Sequence, residues 1–357
     1  MAYLLAKDAV MGLLEAIGKE YALFGPVGHS ASGDVFFERA DEAGEIRLDA
    51  PIPSNPPKFA VFPQFEKIFA YRYDRETREA RITPEDFVMP KALVGLRSCD
   101  LNGLICLDRF FLGQEYVDEV YRGHRSKMLL VTNTCVKPFP QCFCVCTDSG
   151  PSAKEGYDIN LTDLGDFYLL ETGSPKGERL ASRLRLPASG PEELRLKERA
   201  VDASIGLFDD RAKENKAWIS RVVNRVTTGF IRGEVWEHIG DQCFECGACS
   251  FVCPTCSCFN IEDVAADEGR SDRLRTWDSC SFEGYTRMAG DHNPRKPVED
   301  RRNKRFFCKL SYSQSKKYLR PGCVGCGRCA RVCPGDIGLP NVVTYIRREI
   351  TKDSNGR

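Results

Sequence analysis

The chain has 357 residues, with 51 Lys and Arg against 51 Asp and Glu, 42% hydrophobic residues and 18 Cys. This length supports two or three domains with real cores, and the charge balance gives no electrostatic footprint for nucleic acid or an anionic membrane. No apolar run approaches the ~18 residues that a membrane helix needs. A core this size does not need disulfides, so the cysteine density points to bound metal and a reducing, cytoplasmic compartment.

In chain order, Met1 to Leu14 reads as the start of an amphipathic helix, with Val10, Leu13, Leu14 and Ile17 at helical spacing. Runs at 21–27, 34–38 and 45–49 read as strands of a small sheet, punctuated by Gly, Pro and Ser. Residues 91–96 and 127–132 are buried-strand candidates flanking a helical segment at 102–111, which makes an α/β unit. Cys99 and Cys135 each fall just beyond a strand end, where such sheets place ligands. Gly, Pro and Ser gather between 175 and 190, and a boundary is expected there. Residues 192–240 are rich in Leu, Ala, Glu, Lys and Arg, which predicts helices. The expected fold is a multidomain α+β chain: an α/β domain over 1–185, a helical connector over 186–238, an alpha-helical ferredoxin domain over 239–345 and a mobile polar tail over 346–357.

Two runs carry the strongest signal. Cys243-Phe-Glu-Cys246-Gly-Ala-Cys249-Ser-Phe-Val-Cys253-Pro and Cys323-Val-Gly-Cys326-Gly-Arg-Cys329-Ala-Arg-Val-Cys333-Pro both have the spacing C-x2-C-x2-C-x3-C-P. Three cysteines so spaced reach three irons of one cubane, and the fourth leaves the turn toward the other cluster. That predicts one [4Fe-4S] cluster on Cys243, Cys246, Cys249 and Cys333, and a second on Cys323, Cys326, Cys329 and Cys253. Paired zinc knuckles would not carry the two Cys-Pro closures. Residues 254–322 separate the runs, and 260–267 and 282–289 are expected to be helical.

Ten further thiols fall outside these runs, and five of them stand out. If the strands before Cys99 and Cys135 are parallel neighbours, those two residues meet Cys142, Cys144 and Cys146. A third [4Fe-4S] cluster on Cys99, Cys135, Cys142 and Cys144 is expected, with Cys146 the spare; the alternative is a set of inert buried thiols. Cys256, Cys258, Cys280 and Cys308 read as core or cluster-adjacent thiols and Cys106 as helix core, while the four His are isolated. Arg301-Arg-Asn-Lys-Arg305 reads as a solvated basic face able to dock an acidic partner.

No G-x-G-x-x-G follows a predicted strand, and neither a P-loop nor a C-x-x-C-H haem site occurs. The visible chemistry is one-electron transfer with no catalytic residue. The segments Gly95-Leu-Arg-Ser-Cys99-Asp100-Leu, Phe110-Phe-Leu-Gly, Cys142-Phe-Cys144, Gly156-Tyr-Asp-Ile-Asn-Leu-Thr-Asp and Cys253-Pro-Thr-Cys256-Ser-Cys258-Phe, with the second ferredoxin run, resemble the beta subunit of soluble sulfhydrogenases and its close relative, the corresponding iron-sulfur chain of anaerobic sulfite reductase. The resemblance covers about residues 1–345; Cys146 departs from it. It implies an electron-transfer subunit between a flavin and NAD(P)H-binding chain and a catalytic chain of NiFe hydrogenase or sulfite reductase type, or another cluster protein. Two other readings remain: a reductase that binds substrate at an open N-terminal cluster, and a cluster-based redox sensor.

Overall fold

The computed structural model describes residues 1–84, 89–208, 216–266, 269–318 and 321–355. The chain begins with a strand, not a helix. β1 (Ala2–Ala6) precedes α1 (Val10–Gly18), and only the latter carries the helical stripe of buried Leu13, Leu14 and Ile17. Next come β2 (Ala22–Gly28) and β3 (Val35–Arg39); residues 45–49 form no strand, only a short turn and a single bridge from Val27 to Ile46. Beyond β4 (Phe65–Tyr73) and β5 (Ala80–Pro84), β6 (Lys91–Leu96) leads into α2 (Ser98–Phe111). Then follow α3 (Glu119–Ser126), β7 (Met128–Asn133), β8 (Ile159–Asp163) and β9 (Phe167–Thr172).

Seven of these strands form one sheet in the order β1-β9-β8-β7-β6-β2-β3, so the expected small N-terminal sheet is instead one flank of a large one. Its four central strands, β2, β6, β7 and β8, run parallel, and the flanks are antiparallel. Alternation along the strands makes both faces apolar. Ala92, Val94, Leu129 and Val131 pack with α1 on one face, while Leu93, Leu130 and Met128 pack with Leu101, Leu104 and Leu107 of α2 on the other.

The stretch with boundary-like composition is ordered. α4 (Pro175–Leu184) starts on a Ser174 cap that accepts from the Gly177 amide at 3.2 Å, and Leu4 donates to Pro187 at 2.9 Å. This stretch therefore belongs to the sheet unit, Ser189 N–H donating to the Ala2 carbonyl at 3.0 Å. Among the described residues three helices follow, α5 (Pro191–Gly206), α6 (Lys216–Thr228) and α7 (Gly233–Asp241).

Beyond α8 (Ala248–Phe251), residues 259–265 form β10 (Phe259–Ala265), which pairs with β11 (Arg270–Trp277) where a helix was expected; residue 267 lies outside the described residues. The reason is tertiary. β11 pairs with β4 from the N-terminal half, completing a second sheet ordered β10-β11-β4-β5. Buried Arg275 anchors the junction on Glu66 at 2.5 Å and on Asp118. Residues 282–289 hold only one 3-10 turn followed by a shorter one. The remaining helices are α9 (Val298–Leu310), α10 (Tyr312–Tyr318), α11 (Arg328–Arg331) and α12 (Leu339–Asn355). The segment expected to be a polar tail thus continues a helix whose Val342, Val343 and Ile346 are buried. Among the described residues no helix is long and apolar enough to cross a membrane.

Candidate metal centres

The two C-x2-C-x2-C-x3-C-P runs fold alike. Gly247 (φ 74°, ψ −13°) and Gly327 (φ 74°, ψ −12°) occupy the left-handed region ahead of the third cysteine and start the single-turn helices α8 and α11. A second left-handed residue precedes the second cysteine, Glu245 (φ 52°) in one run and Gly325 (φ 64°) in the other. This paired turn aims amides at sulfur: Glu245 N–H donates to Cys243 Sγ at 3.4 Å, and Gly325 N–H to Cys323 Sγ at 3.3 Å. Leu339 N–H does the same for Cys329 Sγ at 3.3 Å. Such bonds favour the anionic sulfur of a bound cluster.

The runs also cross. One small cavity is lined by Cys323, Cys326, Cys329 and Cys253, the last contributed by the other run, together with Arg305 and Lys309. At the opposite end, Gly335 just after Cys333 abuts Gln242, so close that an added Cβ would lie 1.9 Å from the Gln242 carbonyl. The end of the second run therefore lies against the start of the first, beside Cys243.

The basic run at 301–305 is not a solvated face. Arg301, Arg302, Arg305 and, one turn on, Lys309 are all buried on α9. Arg302 Nη1 and Arg305 Nη1 lie 4.0 Å from Cys249 Sγ and Cys256 Sγ, and Lys309 Nζ donates to Thr255 Oγ1 at 2.7 Å, beside Cys253. Arg301 pairs with Glu245, but among the described residues no carboxylate pairs with Arg302, Arg305 or Lys309. Buried cations without counter-charge cost several kcal/mol each. Here the sulfur atoms supply it: the Arg305 and Lys309 pKa values rise despite burial, because Cys249, Cys253 and Cys256 surround them. Arg302 Nε has no partner at all. An anionic iron-sulfur group fits this environment better than empty thiols do. Lys58 adds a further buried ammonium, donating to the carbonyls of Ser250 and Cys256 at 3.1 Å, and burial pulls its pKa down to about 8.

The N-terminal thiols form a separate group. β6 and β7 are parallel neighbours, so their ends place Cys99 and Cys135 on one side of the sheet. Burial raises the pKa of each member; Asp100 adds to it at Cys99 and Cys135, and neighbouring thiols add to it at Cys99, Cys142 and Cys144. Cys144 feels Cys142, Cys135 and Cys326; Cys99 feels Cys326 and Cys144; and Cys142 is pushed up to about 12, with Cys135 beside it. Three residues next in sequence or close to these thiols carry buried polar atoms without a partner, namely Arg97 Nε, Gln141 Oε1 and Asn133 Oδ1. The Arg97 guanidinium also acts on Cys135, lowering its pKa against the effect of burial. Cys146 points elsewhere, into a large cavity between the two halves of the chain.

This group touches the second ferredoxin run directly. Phe143 N–H donates to the Gly325 carbonyl at 2.8 Å, and Cys142 Sγ lies 3.5 Å from the Cys326 carbonyl. A Cβ on Gly325 would meet Cys144 N at 2.5 Å, so only glycine admits the contact. Beside it, Arg328 and Asp100 form a two-pronged pair at 2.5 and 3.2 Å, and Arg328 Nε donates to the Pro53 carbonyl at 2.8 Å.

Of the other thiols, Cys256 lies beside Cys253, which pushes its pKa up, and Cys280 lies beside Cys258, which with Arg305, Arg302 and Lys309 pulls the Cys280 pKa down to about 5. Cys106 is buried on α2. His29, His124 and His238 are engaged by Glu38, Glu66 and Gln242. Among the described residues no three His, Cys, Asp or Glu side chains close on one ion-sized point, so the centres are read from donor chemistry, the cavity and the surrounding charge. Sequence reasoning missed the α9 cations, Arg97, Lys58 and the Asp100–Arg328 pair. Only the i, i+3, i+7 spacing of Arg302, Arg305 and Lys309 could have exposed the first.

Residues 242–337 match the family of 4Fe-4S dicluster domains. Over 338 residues, 94% of each chain, the sequence is 29% identical to sulfhydrogenase 2 subunit beta of Pyrococcus furiosus. No solved structure is significantly similar.

Proposed function

For a chain homologous to sulfhydrogenase 2 subunit beta and carrying two 4Fe-4S clusters in its C-terminal dicluster domain, we propose a relay subunit with a third cluster in its N-terminal half. Cys243, Cys246, Cys249 and Cys333 hold one dicluster group and Cys323, Cys326, Cys329 and Cys253 the other. Cys99, Cys135, Cys142 and Cys144 hold the third. A [4Fe-4S] cluster supplies one-electron transfer, its potential set by charge, burial and hydrogen bonds to sulfur. The protein residues fix those terms: Arg302, Arg305 and Lys309 offset negative charge, and the amides of Glu245, Gly325 and Leu339 stabilise sulfur.

The observation that carries this reading is the contact between the loop at 142–144 and Gly325–Cys326, which joins the N-terminal thiols to the dicluster domain with no intervening side chain. Cys246 is exposed, and so is Phe244 beside it, giving the other end of the series a surface outlet. The protein would work between a flavin and NAD(P)H-binding chain and a catalytic chain of NiFe hydrogenase or sulfite reductase type, as the beta subunit of a sulfhydrogenase suggests. Anaerobically purified protein should hold about twelve iron atoms, and about eight would remove the N-terminal centre from the relay. Nickel in the native complex would identify a hydrogenase partner, and sirohaem a sulfite reductase.

A further inference from the structure

A cavity of about 1130 Å³ opens between the N-terminal sheet unit and the helices of the dicluster half. That is more than enough for a small organic cofactor. Its position relative to the cysteine groups is unusual. Cys146, two residues beyond Cys144, lies in one wall, and Lys309 lies in another while also lining the cavity of Cys253, Cys323, Cys326 and Cys329. Lys309 therefore borders both this space and the cavity of the second ferredoxin run, and Cys146 brings it within two residues of Cys144 along the chain.

The lining has two chemistries. Ile219, Val223 and Leu310 make an apolar wall, with the Tyr312 ring at its edge. Arg109, Lys154 and Lys316 add positive charge; Asp148 and Glu155 are the acidic counterparts, and Lys154 bonds Asp148 at 2.8 Å. Lys309 is turned to Thr255 and the sulfur atoms, so the lining itself sets Arg109, Lys154 and Lys316 against Asp148 and Glu155, an excess of one positive charge that favours an anion.

We propose that this cavity binds a small anionic ligand with a flat apolar body, of the size and chemistry of flavin mononucleotide, at the junction of the two cysteine groups. The apolar wall takes the body, and the basic rim takes the phosphate or carboxylate. Binding requires only the folded chain, so it stands or falls separately from the count of clusters.

Flavin mononucleotide is the probe. Titrated with the anaerobically purified full-length chain, its fluorescence should be quenched saturably at one equivalent. The double substitution Lys154→Glu with Lys316→Glu should raise the Kd at least ten-fold, and both side chains are exposed, so folding is retained. Iron content and visible cluster absorbance should be the same in both proteins. Absence of saturable quenching, or equal affinity in the variant, overturns the proposal. Binding by a chain holding only about eight irons would leave this site standing while removing the third cluster.

Discussion

The Asp100–Arg328 pair should hold the two halves of the candidate relay in register. Both side chains are 1% exposed, and the carboxylate accepts from two guanidinium nitrogens at 2.5 and 3.2 Å. Asp100→Asn keeps the volume but strands a buried guanidinium without counter-charge. Removing one partner of such a pair costs about 3–5 kcal/mol, roughly two to four powers of ten in the folding equilibrium. Arg328→Met should cost a similar amount, since it also abandons the Pro53 carbonyl. In the double variant the stranded charge is gone from both sides, so the penalties should fall short of their sum by about 2–3 kcal/mol. Anaerobic urea unfolding followed by tryptophan fluorescence measures this cycle. Trp218 is a local reporter, because its ring lies 5.5 Å from Phe143 on the connecting loop. As a control, Glu119→Gln, in an exposed pair with Arg122, should change stability by less than about 1 kcal/mol. A coupling energy below about 0.5 kcal/mol between Asp100 and Arg328 would refute the bridge.

Cys333→Ser should reduce iron by about four atoms and remove the signal of the cluster on Cys243, Cys246 and Cys249; loss confined to the other cluster would overturn the crosswise assignment. Gly325→Ala introduces a Cβ against Cys144 N at a φ of +64°, so iron from the N-terminal site should be lost while the cluster on Cys243, Cys246 and Cys249 survives; unchanged iron would contradict the contact argument. Arg302→Gln removes a cation 4.0 Å from Cys249 Sγ. A unit charge ~6 Å from a cluster centre at an effective dielectric of ~20 is worth about 3 kcal/mol, so the nearby potential should fall by on the order of 100 mV, since a positive neighbour favours the reduced form. An anaerobic redox titration monitored by paramagnetic resonance would read it, and an unchanged or raised potential would count against the charge compensation.

What the sequence determined by itself is local. The spacing C-x2-C-x2-C-x3-C-P sets which thiols can reach one cubane because only two residues separate each of the first three, and its left-handed positions are visible as Gly247, Gly325 and Gly327. The strand-helix-strand order at 91–133 was legible for the same reason: unbroken apolar runs mark strands buried on both faces. Elements defined by distant partners were not legible. β1 is a strand because Phe167–Thr172 lies beside it, and β10 belongs to a sheet because β11 found β4, nearly two hundred residues earlier. Likewise, Arg302, Arg305 and Lys309 look like any exposed basic helix face until folding turns them toward sulfur. Only the tertiary structure decided that the loop at 142–144 rests on Gly325 and that Cys146 faces a different space. Residues 141–144 are held by hydrogen bonds and steric fit to a turn far along the chain, and no local spacing encodes such a contact.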